Sequence, residues 1–343
     1  MNAPSLTGFL ASAEANFQVF DLGLYLRKLP SSILSNLDNG QPYPTPHLGH
    51  AWLALFIWKQ DGTEQNSLWF LKLPLDEQGI LSTAVHSDLV SRMYRAQKAI
   101  DTKERERLLT EHPYQFTPDH EKMAALHAVA TDLLALPASE YLENAQNYYL
   151  QNDSTTPWQG IGLQGIADLV CRLNAQQVMP LSDALPNLAD EPLMALLRQC
   201  EHSPLPSSLV KAIANIAANP NQSEDVYIAC LRACAQSSSA MLLEASIHNR
   251  LASNQFSTEF LLTIITRYTH LLKNDQFAVN VLDKLAKQVD NDGFERVITN
   301  LAMQSHMAGI VLKTLASPHL TEALANALSI LIKHRRRPPN AHH

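Results

Sequence analysis

Residues 68–81 constrain the fold most, because an apolar run changes abruptly into a polar turn within them. Both faces of residues 68–73 are apolar except at Lys72, which predicts a strand buried on both sides. Pro74 has no amide hydrogen to continue a sheet ladder, so it marks the end of this strand. The segment therefore separates a front part that contains strands from a back part that is helical.

Two other segments predict partners for this strand. Residues 51–58 have a strand-like apolar pattern, and Asp61-Gly62 is a strong turn signal before residue 68. Residues 17–20 form a third, shorter candidate strand. Because an isolated hairpin is only marginally stable, a helix must cover this small antiparallel sheet, and residues 84–109 carry a long helical pattern.

Lys72 is the charged exception in the predicted strand. Its ammonium group can extend to solvent or pair with a carboxylate, and Asp76 and Glu77 are the nearest acidic residues in the sequence. One hypothesis is that Asp21, Lys72, Asp76 and Glu77 form an acid/base site. The alternative is a structural ion pair that holds the turn. These four residues are the candidate functional cluster, and no catalytic residue is assigned.

The residues around the turn also resemble a known family. The Leu75-Asp76-Glu77 element, within residues 69–79, is similar to the signature of the uncharacterised bacterial family known as domain of unknown function 3549. Residues 19–23 and 164–168 are similar to the same family. The resemblance extends over nearly the whole chain and implies a bacterial protein of about this length. It implies no activity, and no catalytic residue is carried over from it.

Composition narrows the class of protein. With 46% hydrophobic and 17% charged residues, the 343-residue chain is typical of globular proteins. The net charge of -7 argues against a general nucleic-acid binder, which would present a basic surface. We find no signal-peptide pattern, and the longest apolar run, residues 51–58, is too short to cross a bilayer. We therefore expect a cytoplasmic protein without a membrane partner.

Three motifs suggest cofactors or metals, but each is weak. Residues 160–165 match the dinucleotide fingerprint formally, yet no strand precedes them, so we expect a closely packed helix start. His47 and His50, with His86 or Asp88, could bind a metal but are more typical of loop histidines. The cysteines fit free buried thiols better than ligands or disulfides. They are Cys171, Cys200, Cys230 and Cys234. We predict no cofactor and no metal.

The back part of the chain shows helical patterns separated by breaks and no convincing strand. The predicted helices are residues 192–201, 207–218, 224–235, 240–252, 258–272, 276–289, 294–303, 307–315 and 321–332. Helix pairs recur at the thirty-to-forty-residue spacing of α-solenoid repeats, which favours HEAT-like stacking of antiparallel helices over one compact helical domain. We predict a small α+β domain (1–110), a helical connector (111–180), a HEAT-like array (181–333) and a flexible basic tail (334–343).

Three functions are compatible with this organisation. Stacked helices offer long surfaces that hold other proteins, so a non-enzymatic interaction or scaffold module is the leading hypothesis, with another protein as the partner. The second is an enzyme whose site lies near Lys72, Asp76 and Glu77. The third is a nucleic-acid-associated protein that uses the basic tail together with Arg92, Arg95 and Lys98. The sequence does not decide the oligomeric state.

Overall fold

The computed structural model describes residues 4–12, 15–59, 66–151, 157–253, 256–304, 307–317 and 320–336. Helices make up 62% of the structure, and a small antiparallel sheet lies near the N-terminus. The predicted class, a mostly helical protein with an N-terminal sheet followed by a helical array, is confirmed. The chain forms two compact units, residues 1–126 and residues 127–343. The finer boundaries at residues 110, 180 and 333 stay predictions.

The first unit is built on a four-stranded antiparallel sheet. Its strands are β1 (Asn16–Asp21), β2 (Arg27–Leu29), β3 (His50–Trp58) and β4 (Asn66–Pro74). Their order is β2-β1-β3-β4, and Leu55 of β3 pairs with both Val19 and Trp69. The predicted hairpin and its third strand are therefore confirmed. The short β2 is not evident from the sequence, because three residues are too few to show alternation. The predicted turn Asp61-Gly62 lies outside the described residues.

One face of the sheet forms the core of the first unit. Leu53, Leu71 and Leu73 are among its buried side chains, and helices cover this face. The helices of this unit are α1 (Leu6–Ser12), α2 (Ser32–Asp38), α3 (Thr83–Lys98) and α4 (Thr102–Thr110). The expectation that β4 is buried on both sides is wrong. β4 is an edge strand, and its residues Leu68, Phe70 and Lys72 are only half-buried.

The single helix predicted over residues 84–109 is two helices. α3 ends at Lys98, and α4 begins at Thr102. Asp101 causes the new start, because its side chain accepts a hydrogen bond from the Lys103 amide at 3.1 Å and so caps α4. No glycine or proline lies between Lys98 and Thr102, which is why the sequence alone does not reveal the break.

The described residues of the second unit form helices joined by loops, with no strand among them. Together with α5 (His120–Leu133), the remaining helices are α6 (Leu142–Gln151), α7 (Leu163–Cys171), α8 (Ala175–Ala184), α9 (Asp190–Cys200), α10 (Ser207–Ala217), α11 (Glu224–Cys234), α12 (Glu244–Ser253), α13 (Thr258–Arg267), α14 (Asp275–Gln288), α15 (Asn291–Met303), α16 (Ala308–Leu315) and α17 (Glu322–Arg336). Every helix predicted after residue 190 is present. Two of the predicted helices are part α-helix and part 3₁₀-helix, at residues 240–243 and 269–273.

Alternate helices of the second unit begin at regular intervals. α9, α11, α13 and α15 begin at residues 190, 224, 258 and 291, so 33 or 34 residues separate successive starts. α11 packs against both α9 and α13, whereas α10 packs against α8 and the 3₁₀ segment at residues 240–243. Several helices thus pack against the helix two places along the chain, which is consistent with stacked helix pairs.

Polar side chains at the helix starts set this spacing. Ser223, Ser257 and Asn274 accept hydrogen bonds from the first-turn amides of α11, α13 and α14. Such caps satisfy donors that have no partner within the helix. At α15 the cap is Asp290, which accepts a hydrogen bond from the Gly293 amide at 2.8 Å.

Gly165 explains the apparent dinucleotide fingerprint. It lies in the first turn of α7, and a Cβ atom there would lie 2.4 Å from the Tyr141 carbonyl oxygen. Real Cβ atoms never approach so closely, so α7 and the Tyr141 backbone can pack together only with glycine at this position. The described residues before Gly160 form no strand, because they begin at Pro157 and run directly into a 3₁₀ turn. The expected close helix packing is therefore confirmed.

Gly165→Ala should lower the free energy of unfolding by about 2 kcal/mol or more, because the added methyl group overlaps backbone that cannot move aside freely. Gly309→Ala in α16 is the control, since nothing lies within 4 Å of its Cβ position and it should change stability by less than about 1 kcal/mol. Chemical denaturation of both variants measures the difference. Equal stabilities would show that the contact with Tyr141 is not tight.

Candidate functional site

Asp21 lies at the end of β1 and is buried, with 4% of its surface exposed. Its carboxylate accepts hydrogen bonds from the Gly23 amide at 3.0 Å and from the Thr45 hydroxyl at 2.9 Å. The buried Tyr43 and the Arg27 guanidinium are also close enough to influence its charge. Burial raises the pKa of the Asp21 carboxyl, and these favourable contacts offset only part of that effect.

Lys72 lies on the opposite face of the sheet from Asp21. Asp21 pairs with Leu53 of β3, whereas Lys72 of β4 pairs with the adjacent residue Trp52. Neighbouring residues of a strand point to opposite faces, so the two side chains diverge. The Lys72 ammonium lies 4.5 Å from the centre of the Trp52 ring, in a cation–π contact.

Asp76 and Glu77 are exposed in the turn that follows β4. One Asp76 carboxylate oxygen accepts hydrogen bonds from the amides of Gln78 and Ile80, both at 2.9 Å. Gly79 closes the turn with a φ of +77°, which glycine adopts without strain. The Leu75-Asp76-Glu77 element is thus a turn closed by Asp76. No ion pair joins Lys72 to either carboxylate in the described part of the chain, so the structure does not bring the four candidate residues together.

The predicted metal and thiol candidates also have ordinary surroundings. His47 and His50 form a small backbone bridge, and the His50 Nδ1 atom lies 2.7 Å from the Leu48 carbonyl oxygen. Within the described residues, no three histidine, cysteine or acidic side chains converge as a metal site requires. The four cysteines have free thiols and three of them are buried. Burial raises the pKa of the half-buried Cys171 thiol to about 11, so it is not a reactive thiolate.

The basic residues proposed for nucleic-acid contact fall in two places. α3 carries Arg92, Arg95 and Lys98, of which Arg92 pairs with Asp88 at 3.0 Å. α17 extends to Arg336, so the first residues of the predicted tail are helical in their backbone. Residues 337–343 lie outside the described part of the chain.

The stacked helices carry a row of arginines at equivalent positions. Arg198, Arg232 and Arg267 each lie in the last turn of their helix, in α9, α11 and α13. Acidic residues occupy the first turns of the same helices. Each of these helices therefore carries negative charge in its first turn and positive charge in its last turn. The 34- and 35-residue spacing of these arginines is visible in the sequence, and it is the signal that would have found this surface.

Glu201 connects three successive helices of the row. It follows the end of α9, is only 3% exposed, and lies 2.9 Å from Arg232 and 2.5 Å from Arg267. Arg232 also reaches Glu259, at 3.5 Å. A buried carboxylate requires such partners, because desolvation of a lone charge is costly. Glu201 therefore fixes α9, α11 and α13 relative to one another.

A groove of about 270 Å³ lies beside this ion-pair network. Its lining residues are Met194, Arg198, Glu201, Asp225, Ile228, Ala229, Arg232 and Glu259. The lining thus combines apolar side chains from α9 and α11 with charged side chains of both signs. The volume is below the range of roughly 300–1,000 Å³ that is usual for small-molecule sites, so the groove is suited to a single protruding side chain.

Family comparison agrees with the motif in the turn. The model of the family described as "Protein of unknown function (DUF3549)" matches residues 2–332 of the chain. The chain belongs to this family. No curated protein and no solved structure matches it. In this family member, no helix of the described residues combines the length and the apolar composition needed to cross a membrane.

Asp21→Asn should change how stability depends on pH. Because the pKa of Asp21 is raised in the folded state, its protonated form is favoured by folding. The wild-type protein should therefore lose stability relative to Asp21→Asn as pH rises from about 4 through the folded-state pKa, and the difference should be constant above it. Urea unfolding of both proteins across this range measures the difference. A difference that is the same at every pH contradicts the raised pKa.

Glu201→Gln should lower the free energy of unfolding by about 3 kcal/mol, since it removes the charge that compensates two arginines, one of them nearly buried. Glu259→Gln removes a carboxylate that pairs with the same Arg232 but is exposed, so it should cost less than about 1 kcal/mol. Denaturant unfolding compares the two variants. Similar losses would mean that the network at Glu201 does not hold the three helices.

Proposed function

We propose that this protein is a non-enzymatic interaction module, and that the helix-pair stack of its second unit binds another protein. The supporting observation is the HEAT-like spacing of α9, α11, α13 and α15, with starts 33 or 34 residues apart. Stacks of this kind present an extended surface made of equivalent positions from successive helices. In this proposal the helix pairs form a HEAT-like scaffold that acts in the cytoplasm.

The row of arginines gives the proposed binding surface its chemistry. Arg198 and Asp225 are exposed at the groove, whereas Met194 is half-buried beneath them. A flexible methionine adapts its shape to different apolar side chains. The proposed partner is therefore a protein segment that inserts one apolar side chain into the groove and carries charges of both signs beside it. Complementary charges would fix its direction along the stack.

The free cysteines support a reducing compartment for this interaction. All four cysteines are free thiols, and Cys200, Cys230 and Cys234 are buried among the helices of the second unit. Disulfides are usual in secreted proteins of the oxidising compartments and rare in the cytosol. A cytoplasmic protein is therefore the partner that we propose.

The double variant Arg198→Glu/Asp225→Lys tests this surface, because it reverses two exposed charges of the groove and leaves the net charge unchanged. Partners would first be captured from the native bacterial lysate with the wild-type protein and identified by mass spectrometry. The purified partner would then be titrated by calorimetry. We expect the double variant to bind at least tenfold more weakly, equivalent to about 1.4 kcal/mol.

The matched control is Lys211→Glu/Asp183→Lys, which makes the same charge exchange on α10 and α8. Both residues are exposed and neither lines the groove. This variant should bind the partner as the wild type does. Equal weakening by both variants, or no partner that binds directly when purified, would count against the proposal.

A further inference from the structure

A second cleft lies entirely within the first unit, on the side of α1, α2 and α3. Its volume is about 800 Å³, within the usual range for small-molecule sites of roughly 300–1,000 Å³. Its lining residues are Pro4, Ser5, Thr7, Ser35, Asp38, Asn39, His86, Ser87, Val90, Ser91, Tyr94, Arg95 and Lys98. Most of these side chains are polar, and only one of them is a carboxylate.

Asp38 is the fixed centre of this cleft. Its two oxygens accept hydrogen bonds from the Leu6 amide at 2.8 Å, the Thr7 amide at 3.0 Å and the Thr7 hydroxyl at 2.7 Å. The His86 Nε2 atom is a fourth partner, at 2.7 Å. Burial alone would raise the pKa of the Asp38 carboxyl, but the bonds from His86 and Thr7 hold it below its ordinary value. Asp38 is therefore ionised at neutral pH.

The charge of Asp38 determines the orientation of His86. An ionised carboxylate only accepts hydrogen bonds, so the His86 Nε2 atom must carry the proton and donate it. In the neutral ring, Nδ1 is then the acceptor. His86 lines the cleft and keeps 17% of its side chain exposed. When the ring is neutral, Nδ1 can accept a hydrogen bond from a donor group of a bound molecule, such as a hydroxyl.

The wall formed by α3 combines hydroxyls with positive charge. Ser87, Ser91, Arg95 and Lys98 follow one another at spacings of three or four residues, which places them on one face of the helix. Arg95 and Lys98 are exposed, and neither pairs with a carboxylate in the described part of the chain. The lining thus has two uncompensated cations at one end and a row of hydroxyl groups leading toward His86.

We propose that this cleft binds a phosphate monoester of a small polyhydroxylated molecule, such as a sugar phosphate. The phosphate would be held by Arg95 and Lys98, because a guanidinium forms paired hydrogen bonds with phosphate oxygens and the ammonium adds a second charge. The hydroxyl groups of the ligand would bond to Ser87, Ser91 and the acceptor nitrogen of His86. This binding site is independent of the protein-binding surface proposed for the second unit.

Calorimetric titration with ribose 5-phosphate, at constant ionic strength, tests the proposal directly. We expect saturable binding of one molecule per chain. Inorganic phosphate should bind more weakly, since it lacks the hydroxyl groups, and ribose more weakly still, since it lacks the charge. Arg95→Ala/Lys98→Ala should weaken ribose 5-phosphate binding by at least about tenfold, because it removes both positive charges and their charge-assisted hydrogen bonds to the phosphate oxygens.

The matched control is Lys103→Ala/Arg107→Ala. It removes two exposed positive charges, one helical turn apart, from α4, and neither residue lines the cleft. This variant should bind as the wild type does. Ser87→Ala/Ser91→Ala should weaken ribose 5-phosphate several-fold and leave inorganic phosphate unchanged. Absence of saturable binding at millimolar ligand overturns the proposal, as does equal weakening by the variant in α3 and by the control.

Inorganic phosphate that binds as tightly as ribose 5-phosphate would overturn the role given to the hydroxyl groups, and the site would then be one for simple anions. Circular dichroism and thermal unfolding of each variant show whether it is folded. The substituted residues are all exposed on helices, and Asp38 and His86 are left unchanged, so the fold should be retained.

Discussion

The second unit depends on burial between helices that are too short to be stable alone. α9 to α15 contain 10 to 14 residues each, and isolated helices below roughly 12–15 residues are marginal in water. Their stability must come from the apolar faces that they bury against the helices before and after them. Buried hydrogen bonds then fix the register of the stack. The Tyr268 hydroxyl donates to the Leu231 carbonyl at 2.8 Å, and the Tyr149 hydroxyl donates to the Pro192 carbonyl at 2.9 Å.

The same constraint explains why the surface of the stack is organised. Once successive helix pairs repeat every 33 or 34 residues, a residue type that recurs at that spacing forms a row. Arg198, Arg232 and Arg267 form such a row, and Glu201 occupies its interior. A compact helical domain without this spacing would scatter the same charges over unrelated faces. The surface that we propose for protein binding is thus a product of the stacking itself.

Local signals in the sequence predict much of this fold. One or two residues specify each of three features: the turn at Asp290–Gly293, the cap at Ser257 and the end of β4 at Pro74. Features that depend on residues far apart in the sequence are harder to predict from it. β2 is too short to show a pattern, and Glu201 looks like a surface residue until α11 and α13 place two arginines beside it. Periodicity identifies which face of a helix is buried, but it does not identify the partner across that face.

Asp21 and Asp38 of the first unit show that the ionisation of a side chain is equally hard to predict from the sequence. In the sequence, Asp21 follows a predicted strand and Asp38 belongs to an Asp-Asn-Gly turn, so Asp21 is the stronger candidate for a functional site. Burial raises the pKa of both, but at Asp38 four donors reverse the effect, whereas at Asp21 it prevails. Three of those donors come from α1 and the fourth from α3, which is 48 residues away from Asp38 in the sequence. Only the packing of these helices makes Asp38 a permanent charge that orients His86, and only then does the cleft acquire a defined acceptor beside its two cations.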